Sequence, residues 1–297
     1  MHKLAIVIPF YKLNFFEAAL TSIANQTNKK FRVYVSDDGS TENVKPLIEQ
    51  FQSKFELKYH RFDKNLGKYD LVAHWNRSVK LADEEWIWLF SDDDVMSDGC
   101  VQAFYDALKE TESRHDIYRF NIEMIDNSGK VILIKDTHPT LETGYNFLMR
   151  RLHSKSLSAA VEYIFKKDVF EKNNGFVNFP LAFCADDASW ITFTNEKPIY
   201  TITGLNVYWR SSSINISSKS GLQKQKAEAL LAYCIWVKDK FGAHTLNDLE
   251  IWFFENLRYI YGKLSLLEKY QIAKRLSVIF NKNKLYYLRR LITYVGI

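Results

Sequence analysis

Three consecutive aspartates, Asp92, Asp93 and Asp94, follow a run of large apolar residues, WIWLF, at positions 86–90. Such a run is typical of a buried parallel strand, because these strands are near-continuously hydrophobic. Three adjacent carboxylates repel one another and stay ionised only where water or a cation compensates their charge. Two interpretations are therefore open: a cation-binding site at the end of the strand, or a solvated turn that leads into a capped helix.

Similar polar clusters follow other apolar runs, because strand-like and helix-like segments alternate over roughly the first 110 residues. Such alternation predicts βα units and a parallel sheet. Ligands of open parallel sheets bind outside the carboxyl ends of the strands. Three clusters lie at such ends, at residues 9–11 (PFY), 37–40 (DDGS) and 91–94 (SDDD), so we expect them to meet in space.

The composition is that of a globular protein, with 297 residues of which 47% are hydrophobic and 25% charged. This length is enough for one large α/β domain with or without a smaller appendage. Cys100, Cys184 and Cys234 are widely spaced, which favours a reducing compartment over a disulfide framework or a zinc site. The first apolar run is too short for a signal peptide, and no stretch approaches the ~20 apolar residues of a membrane span. We therefore expect a cytoplasmic protein, or one bound at the inner face of a membrane.

The rest of the chain divides into a mixed region and a helical region. In the mixed region, DIYRFNIEMID and KVILIKD flank an Asn-Ser-Gly turn, which predicts a hairpin. From about residue 222 onward the apolar spacing is helical. We predict an α/β domain over residues 1–221 and a C-terminal helical region over residues 222–297.

Five short signals occur in a characteristic order: IPFYK after the first strand, SIANQT, SDDGS after the second strand, NLG, and FSDDDV after the fourth strand. Together they resemble the inverting nucleotide-sugar glycosyltransferases of family two, which have the GT-A fold. The downstream ADDASW and YWRSSS fit the same pattern, and the resemblance spans residues 4–215. It implies a mostly parallel, Rossmann-like sheet flanked by helices. It also implies sugar transfer from a nucleoside diphosphate sugar, with a UDP-sugar favoured, to a hydroxyl of a glycan or lipid-linked glycan in bacterial surface polysaccharide synthesis.

The resemblance implies a metal site at residues 92–94, where the family carries its DxD-type motif. Asp93 is the first candidate for the metal ligand and Asp94 the second, while Asp92 would contact the ribose or the metal's shell. Ser91 stands where many members carry the first aspartate of the motif. Mn²⁺ or Mg²⁺ suits such hard oxygen ligands and would neutralise the two phosphates of the donor.

Residues of the other clusters would contact the nucleotide. Asp38 corresponds to the aspartate that accepts a hydrogen bond from the base, although DDGS also forms Asx-type turns. Pro9 and Tyr11 correspond to the wall of the nucleotide site, where Tyr11 would stack on the base; simple packing is the alternative. Lys68 would lie against base or phosphate. Arg210 would bind the diphosphate and stabilise the leaving group, unless it is a structural arginine.

Displacement with inversion also requires a base, which takes the proton of the acceptor hydroxyl on the face opposite the leaving diphosphate. The segment CADDASW places Asp186 and Asp187 at the start of a helix, where family members carry an acidic pair. We assign Asp187 as the base and Asp186 as an acceptor-binding or orienting residue. The alternative is that the two carboxylates only interact favourably with the positive, N-terminal end of the helix dipole.

Other functional classes fit the sequence less well. No GxGxxG follows the first strand and no GxxxxGK[ST] occurs, which disfavours a dinucleotide oxidoreductase and an NTPase. A sugar-1-phosphate nucleotidylyltransferase would need a Gly-rich basic loop where PFYKLN stands. The remaining alternative is a non-catalytic nucleotide-sugar-binding or scaffold subunit of a polysaccharide complex, which metal-dependent turnover of a donor would distinguish.

The net charge of +5 is concentrated in the tail, because residues 263–297 contain eight basic residues and one acid and thus carry +7, leaving −2 elsewhere. Apolar residues recur there at helical spacing: Leu285, Leu288, Ile292 and Val295, with Tyr287, Leu291 and Tyr294 beside them. Basic residues line the margin: Lys282, Lys284, Arg289 and Arg290. Such a helix could lie in the headgroup region of an anionic membrane, or it could pack its apolar face on the preceding helices. No nucleic-acid module is recognisable, so nucleic acid is not an expected partner.

Overall fold

The computed structural model describes residues 2–194, 197–212, 221–258 and 264–293. Its strands form one ten-stranded sheet. They are β1 (Leu4–Phe10), β2 (Phe31–Asp37), β3 (Leu57–Arg61), β4 (Trp86–Leu89), β5 (Val95–Met96), β6 (Ile117–Ile125), β7 (Val131–Leu133), β8 (Leu141–Glu142), β9 (Tyr163–Lys166) and β10 (Ile199–Arg210). The helices are α1 (Phe16–Ala24), α2 (Lys45–Gln52), α3 (Leu71–Val79), α4 (Cys100–Glu110), α5 (Gly144–Leu152), α6 (Lys167–Lys172), α7 (Ala185–Thr194), α8 (Gln223–Phe241), α9 (Leu246–Leu257), α10 (Leu266–Ile279) and α11 (Lys284–Thr293).

The strand order is β3-β2-β1-β4-β9-β6-β10-β5, with β7 paired to β6 and β8 to β10. The neighbours β3, β2, β1 and β4 are parallel, and so are β6 and β10. The strand β9 lies antiparallel between β4 and β6. The result is the mixed, mostly parallel sheet expected of the GT-A fold, so the predicted fold class is confirmed.

Strands β1 and β4 are buried on both faces, which explains their unbroken apolar sequences. All four residues of β4 are buried, as are Leu4 to Ile8 of β1. In β4, Trp88 stacks on Phe120 of β6, with ring centroids 5.4 Å apart. These strands end at the polar clusters, which therefore lie at the carboxyl edge of a rigid sheet.

Two segments of the mixed region position polar residues. The predicted hairpin is present, since β7 pairs antiparallel with β6. Helix α5 begins after Thr143, whose hydroxyl accepts the Asn146 N–H at 3.2 Å, as N-cap threonines do. Phe147 and Leu148 are buried from one side of this helix, which leaves Arg151 on a flank that is half-buried.

The chain divides into two compact units: Met1–Val177 with Asp186–Ser212, and Asn178–Ala185 with Ser213–Ile297. The second unit contains α8 to α11. The division into domains at residue 221 stays a prediction. No helix in the described ranges is both long and apolar enough to cross a bilayer.

Helix α11 is held within the second unit by the middle of its apolar face. Tyr287 and Leu291 are fully buried, and the Tyr287 ring stacks on that of Phe254 at 6.3 Å. The buried Glu250 accepts from Lys282 Nζ at 2.6 Å and from Arg290 Nη1 at 3.0 Å. The opposite margin is open: Leu285 and Ile292 are exposed. Tyr294 and Val295 lie outside the described residues.

Candidate functional site

Hydrogen bonds join the three strand-end clusters. The Asp38 N–H donates to the Phe10 carbonyl at 3.0 Å, and the Ser40 hydroxyl donates to the Tyr11 carbonyl at 2.7 Å. The Tyr11 N–H in turn donates to Asp92 Oδ2 at 2.9 Å. The loops after β1, β2 and β4 therefore form one connected surface at the carboxyl edge of the sheet, as the sequence predicts.

The three aspartates after β4 are oriented by different donors. Asp92 also accepts the Lys12 N–H at 3.2 Å, Asp93 Oδ1 accepts the Ser91 hydroxyl at 2.6 Å, and Asp94 Oδ1 accepts the Arg210 N–H at 2.7 Å. Burial raises the pKa of all three carboxyl groups. The pKa of Asp92 rises to about 7, with the charge of Asp93 as the second cause. The pKa of Asp94 rises well above its ordinary value for the same two reasons.

These carboxylates are chemically suited to a hard divalent cation, because burial and mutual repulsion disfavour their charged forms in the absence of positive charge. In the described part of the chain, no three His, Cys, Asp or Glu side chains form a group that could hold a metal by themselves. Mg²⁺ is commonly bound by one or two carboxylates together with substrate phosphates, and a site of that type needs no third protein ligand. Asp93 and Asp94 fit that arrangement.

Arg210, at the end of β10, lies beside these aspartates. Its Nε donates to the Asp93 carbonyl and its Nη1 to the Asp126 carbonyl, both at 2.8 Å. The guanidinium lies 4.6 Å from the centroid of the Phe15 ring. Its positive charge also lowers the pKa of Asp93, against the larger effect of burial. Arg210 is therefore a buried cation fixed at the acidic cluster.

Asp38 is buried and anchors the loop that carries NLG. Its Oδ1 accepts the Leu66 N–H at 2.9 Å, and its Oδ2 accepts the Gly67 N–H at 2.8 Å. Arg77, a residue that the sequence did not single out, also donates to Asp38, and its guanidinium lies 3.7 Å from the Phe62 ring centroid. The N–H of a nucleobase would have to share the two Asp38 oxygens with these donors, so the role of Asp38 in recognising the nucleobase stays a prediction.

The remaining nucleotide-wall residues lie at the surface or near it. Tyr11 is 41% exposed, so its ring is available for stacking. Pro9 is half-buried in β1. Lys68 is exposed, and its Nζ lies 5.4 Å from the ring of Tyr69, which is itself 81% exposed.

The acidic pair at α7 forms a second group. Asp187 is 5% exposed, and its Oδ2 accepts from Arg151 Nε at 2.8 Å. Its Oδ1 is buried and has no hydrogen-bond partner among the described residues. Asp186 accepts the Asp187 N–H at 2.9 Å. Burial raises the pKa of Asp186 to about 7, and the charge of Asp187 adds to the rise.

Two charged residues of this group were not predicted. Arg151 lies on α5, beside the buried apolar face of that helix. Only this position in the sequence could have suggested that the arginine has a buried partner. Glu162, just before β9, is fully buried, and burial raises its pKa to about 8, with the charge of Asp186 contributing. Trp190 of α7 is fully buried and stacks on Tyr163 with ring centroids 4.5 Å apart.

The family model for glycosyl transferase family 2 matches residues 5–163. The chain belongs to this family. The match covers β1 to the start of β9 and includes all three strand-end clusters. The recognition made from the sequence motifs is therefore confirmed.

Two curated relatives show how far the similarity extends. The chain is 24% identical over 238 residues to the GalNAc(5)-diNAcBac-PP-undecaprenol beta-1,3-glucosyltransferase of Campylobacter jejuni, covering 78% of this chain and 72% of that protein. It is 33% identical over 106 residues to an uncharacterized glycosyltransferase of Mycoplasma genitalium, covering 34% of this chain but only 36% of that relative. The match to the Mycoplasma protein thus extends over about a third of each chain.

Two solved structures share the fold. S. aureus TarS 1-349 in complex with UDP-GlcNAc has a TM-score of 0.72 at 20% identity, covering 93% of this chain and 80% of that chain. The mannosyltransferase PcManGT of Pyrobaculum calidifontis, in complex with GDP-Man and Mn²⁺, has a TM-score of 0.55 at 14% identity, covering 98% of this chain and 84% of that chain. At these identities the likeness shows the GT-A fold.

Proposed function

We propose that this protein is a metal-dependent inverting glycosyltransferase that moves a sugar from a UDP-sugar to a hydroxyl of a glycan or lipid-linked glycan. The main support is the joined carboxyl edge, where the backbone N–H of the exposed Tyr11 donates a hydrogen bond to Asp92, the first of the aspartates after β4. The names of the relatives support the donor and acceptor classes, because TarS binds UDP-GlcNAc and the Campylobacter enzyme is named for an undecaprenol-linked glycan. A role in bacterial surface polysaccharide synthesis is part of the same proposal.

Asp93, with Asp94, would hold Mn²⁺ or Mg²⁺ against the donor diphosphate. When bound, such a cation neutralises the charge that the leaving diphosphate gains. The Asp92 carboxylate accepts the backbone N–H of Tyr11 and keeps that loop in place. The nucleobase of the donor would then stack on the Tyr11 ring beside Pro9. Arg210 adds a second fixed positive charge at this edge, which favours the anionic leaving group.

Asp187 would act as the general base. Its Oδ1 is the buried carboxylate oxygen that accepts no hydrogen bond from the described chain, so it is free to accept the proton of an acceptor hydroxyl. Asp186, on the same turn, would bind or orient the acceptor. Both residues belong to the first unit, together with the strand-end clusters, so we assign donor binding and catalysis to that unit.

A donor-binding experiment tests the metal assignment. Thermal shift is measured with UDP-glucose and UDP-GlcNAc, with and without Mn²⁺, for the wild-type protein, Asp93→Ala and the exposed control Asp83→Ala. We expect Asp83→Ala to retain a Mn²⁺-dependent shift and Asp93→Ala to lose it without a fall in the melting temperature of the free protein. A full shift in Asp93→Ala would refute the assignment.

A kinetic experiment tests the base. Asp187→Asn keeps the shape and removes the basicity, so it should reduce kcat far more than donor affinity. If donor affinity falls and kcat does not, Asp187 is a binding residue. If the wild-type protein binds donors but turns none over, the non-catalytic nucleotide-sugar-binding subunit becomes the better account.

Membrane binding through α11 stays a prediction, and the structure narrows it. The basic residues Lys282 and Arg290 already pair with Glu250, and Tyr287 and Leu291 are buried. The surface left for an anionic membrane is therefore the exposed margin that carries Leu285. A cytoplasmic location, peripheral to the membrane or not, is part of the same prediction.

A further inference from the structure

Two buried oxygen atoms lie around the Arg151 side chain without a hydrogen-bond partner in the described part of the chain. They are Oδ1 of Asp187 and the hydroxyl oxygen of Ser156. Arg151 contacts both residues at other atoms: its Nε donates to Asp187 Oδ2 at 2.8 Å, and its Nη1 donates to the Ser156 carbonyl at 2.7 Å. One guanidinium therefore fixes the backbone of Ser156 and the carboxylate of Asp187.

Buried polar atoms are nearly always hydrogen-bonded, because a lost partner is costly. Ser156 is 1% exposed and Asp187 is 5% exposed, so bulk water does not compensate them. A neighbouring serine shows the usual state, since the Ser158 hydroxyl is 3.0 Å from that of Tyr163. Unpartnered atoms that cluster at a proposed base are those that a ligand would satisfy.

Building on the proposed function, we propose that Ser156 Oγ and Asp187 Oδ1 form the subsite for hydroxyl groups of the acceptor, and that Arg151 is the positioning residue of this subsite. A hydroxyl both donates and accepts, so Ser156 can bond to a second hydroxyl of a polyhydroxylated acceptor while Asp187 binds the reacting one. The ligand class is therefore a sugar or another polyol.

The chemistry of the transfer balances at this site. The acceptor oxygen forms a bond to the anomeric carbon, while the bond from that carbon to the diphosphate oxygen breaks and its electron pair leaves with the diphosphate. The acceptor proton passes to Asp187 Oδ1. Arg151 holds Oδ2 throughout, so that the lone pairs of Oδ1 stay directed away from the guanidinium.

Other charged or titratable groups that face the pair of Arg151 and Asp187 are Asp186 of α7, Glu162 before β9 and Tyr163 of β9. Loss of the guanidinium has a signature beyond a slower rate. Arg151→Lys keeps a cation beside Asp187 and should therefore restore part of the rate, while the affinity for the donor, which the strand-end clusters would bind, stays unchanged.

The first test compares Ser156→Ala with Ser158→Ala. Removal of an unpartnered buried hydroxyl does not destabilise a protein, whereas removal of a partnered one does. We expect Ser156→Ala to keep or raise the melting temperature and Ser158→Ala to lower it. A fall for Ser156→Ala as large as for Ser158→Ala would show that its hydroxyl has a structural partner and would overturn the proposal.

The second test compares donor hydrolysis with transfer to added free glucose, using UDP-glucose or UDP-GlcNAc with Mn²⁺; in hydrolysis, water takes the place of the acceptor and offers no second hydroxyl. We expect Ser156→Ala to lower the rate of transfer to glucose about tenfold, the effect of one lost hydrogen bond, with unchanged hydrolysis, an unchanged KM for donor and Ser158→Ala close to wild type. An unchanged rate of transfer to glucose in Ser156→Ala would overturn the proposal.

The third test separates positioning by Arg151 from simple support of the fold. Arg151→Met should lower kcat with an unchanged KM for donor, and Arg151→Lys should restore part of kcat. Equal losses of kcat in both variants, with matching falls in the melting temperature, would assign Arg151 to structure alone. Absence of hydrolysis in the wild-type protein would count against the proposed function, while the melting temperatures would still test the subsite.

Discussion

Glu162 is a fully buried carboxyl group whose replacement by glutamine should change how stability depends on pH. Burial raises its pKa from the ordinary 4.5 to about 8, and the charge of Asp186 contributes. Hydrogen bonds from the Ala159 N–H, at 3.1 Å to each oxygen, oppose the rise without cancelling it. The native protein therefore keeps this proton at neutral pH, and Glu162→Gln mimics that neutral form.

The sign and size of the change in stability follow from the linkage between proton binding and folding. Between pH 4.5 and 8 the native state holds a proton at Glu162 that the unfolded state has released, so the free energy of unfolding falls as pH rises through this window. The full difference in pKa corresponds to about 3–5 kcal/mol. Relative to the wild-type protein, Glu162→Gln should be about equal in stability near pH 4.5 and more stable by that amount above pH 8.

The assay is urea unfolding at pH values from 5 to 9, followed by tryptophan fluorescence. Glu142→Gln is the matched control, because Glu142 is equally buried but pairs with Arg119 and with Arg150 at 3.1 Å. That variant leaves buried positive charge unpaired and should lose stability over the whole range. Parallel pH curves for the wild-type protein and Glu162→Gln would refute the reasoning.

Two further predictions concern packing. A chain ending at Asn281 loses the burial of Tyr287 and Leu291, worth roughly 3–6 kcal/mol, and leaves Glu250 without its partners Lys282 and Arg290. Its second unit should therefore unfold at a lower urea concentration, whereas the control Leu285→Ala should leave stability unchanged. A truncated chain as stable as the full one would contradict the packing of α11. In Gly67→Ala the new Cβ would lie 2.8 Å from Asp38 Oδ2. We therefore expect the free energy of unfolding to fall by roughly 1–3 kcal/mol and UDP to give a smaller thermal shift. Unchanged stability would show that the loop carrying Gly67 can move away from Asp38 without cost.

The sequence predicts that the three strand-end clusters meet, because its signals there are local. Continuous apolar runs identify β1 and β4, and the polar residues that follow each run must lie at one edge once the strands are parallel. Joining the clusters at residues 9–11, 37–40 and 91–94 required no knowledge of side-chain contacts. The bond from Tyr11 N–H to Asp92 is a consequence of that edge.

The group around Asp187 is less accessible to sequence reasoning. The strand β9 could be predicted as a strand, but its antiparallel place between β4 and β6 depends on distant pairings. Arg151 and Asp187 are 36 positions apart, and a helix pattern shows which residues share a face without showing what a flanking arginine will meet. Ser156 lies in the loop between α5 and β9, and the sequence on either side of it does not indicate that this residue is buried.

The tail shows a similar limit. Helical spacing places Tyr287 and Leu291 on a common side with Leu285 and Ile292, but it does not determine how wide the buried stripe is. In the structure the stripe is narrow, so two of these residues are buried and two are exposed. The acid that pairs with Lys282 and Arg290 lies on a preceding helix, which the pattern of the tail alone cannot indicate.

The most direct test of inverting transfer is the configuration of the first product. UDP-α-glucose or UDP-α-GlcNAc is incubated with the protein and Mn²⁺, and proton NMR records the sugar released before mutarotation. A single displacement assisted by Asp187 delivers water to the face opposite the diphosphate, so the β-anomer should appear first. Initial release of the α-anomer would contradict the account.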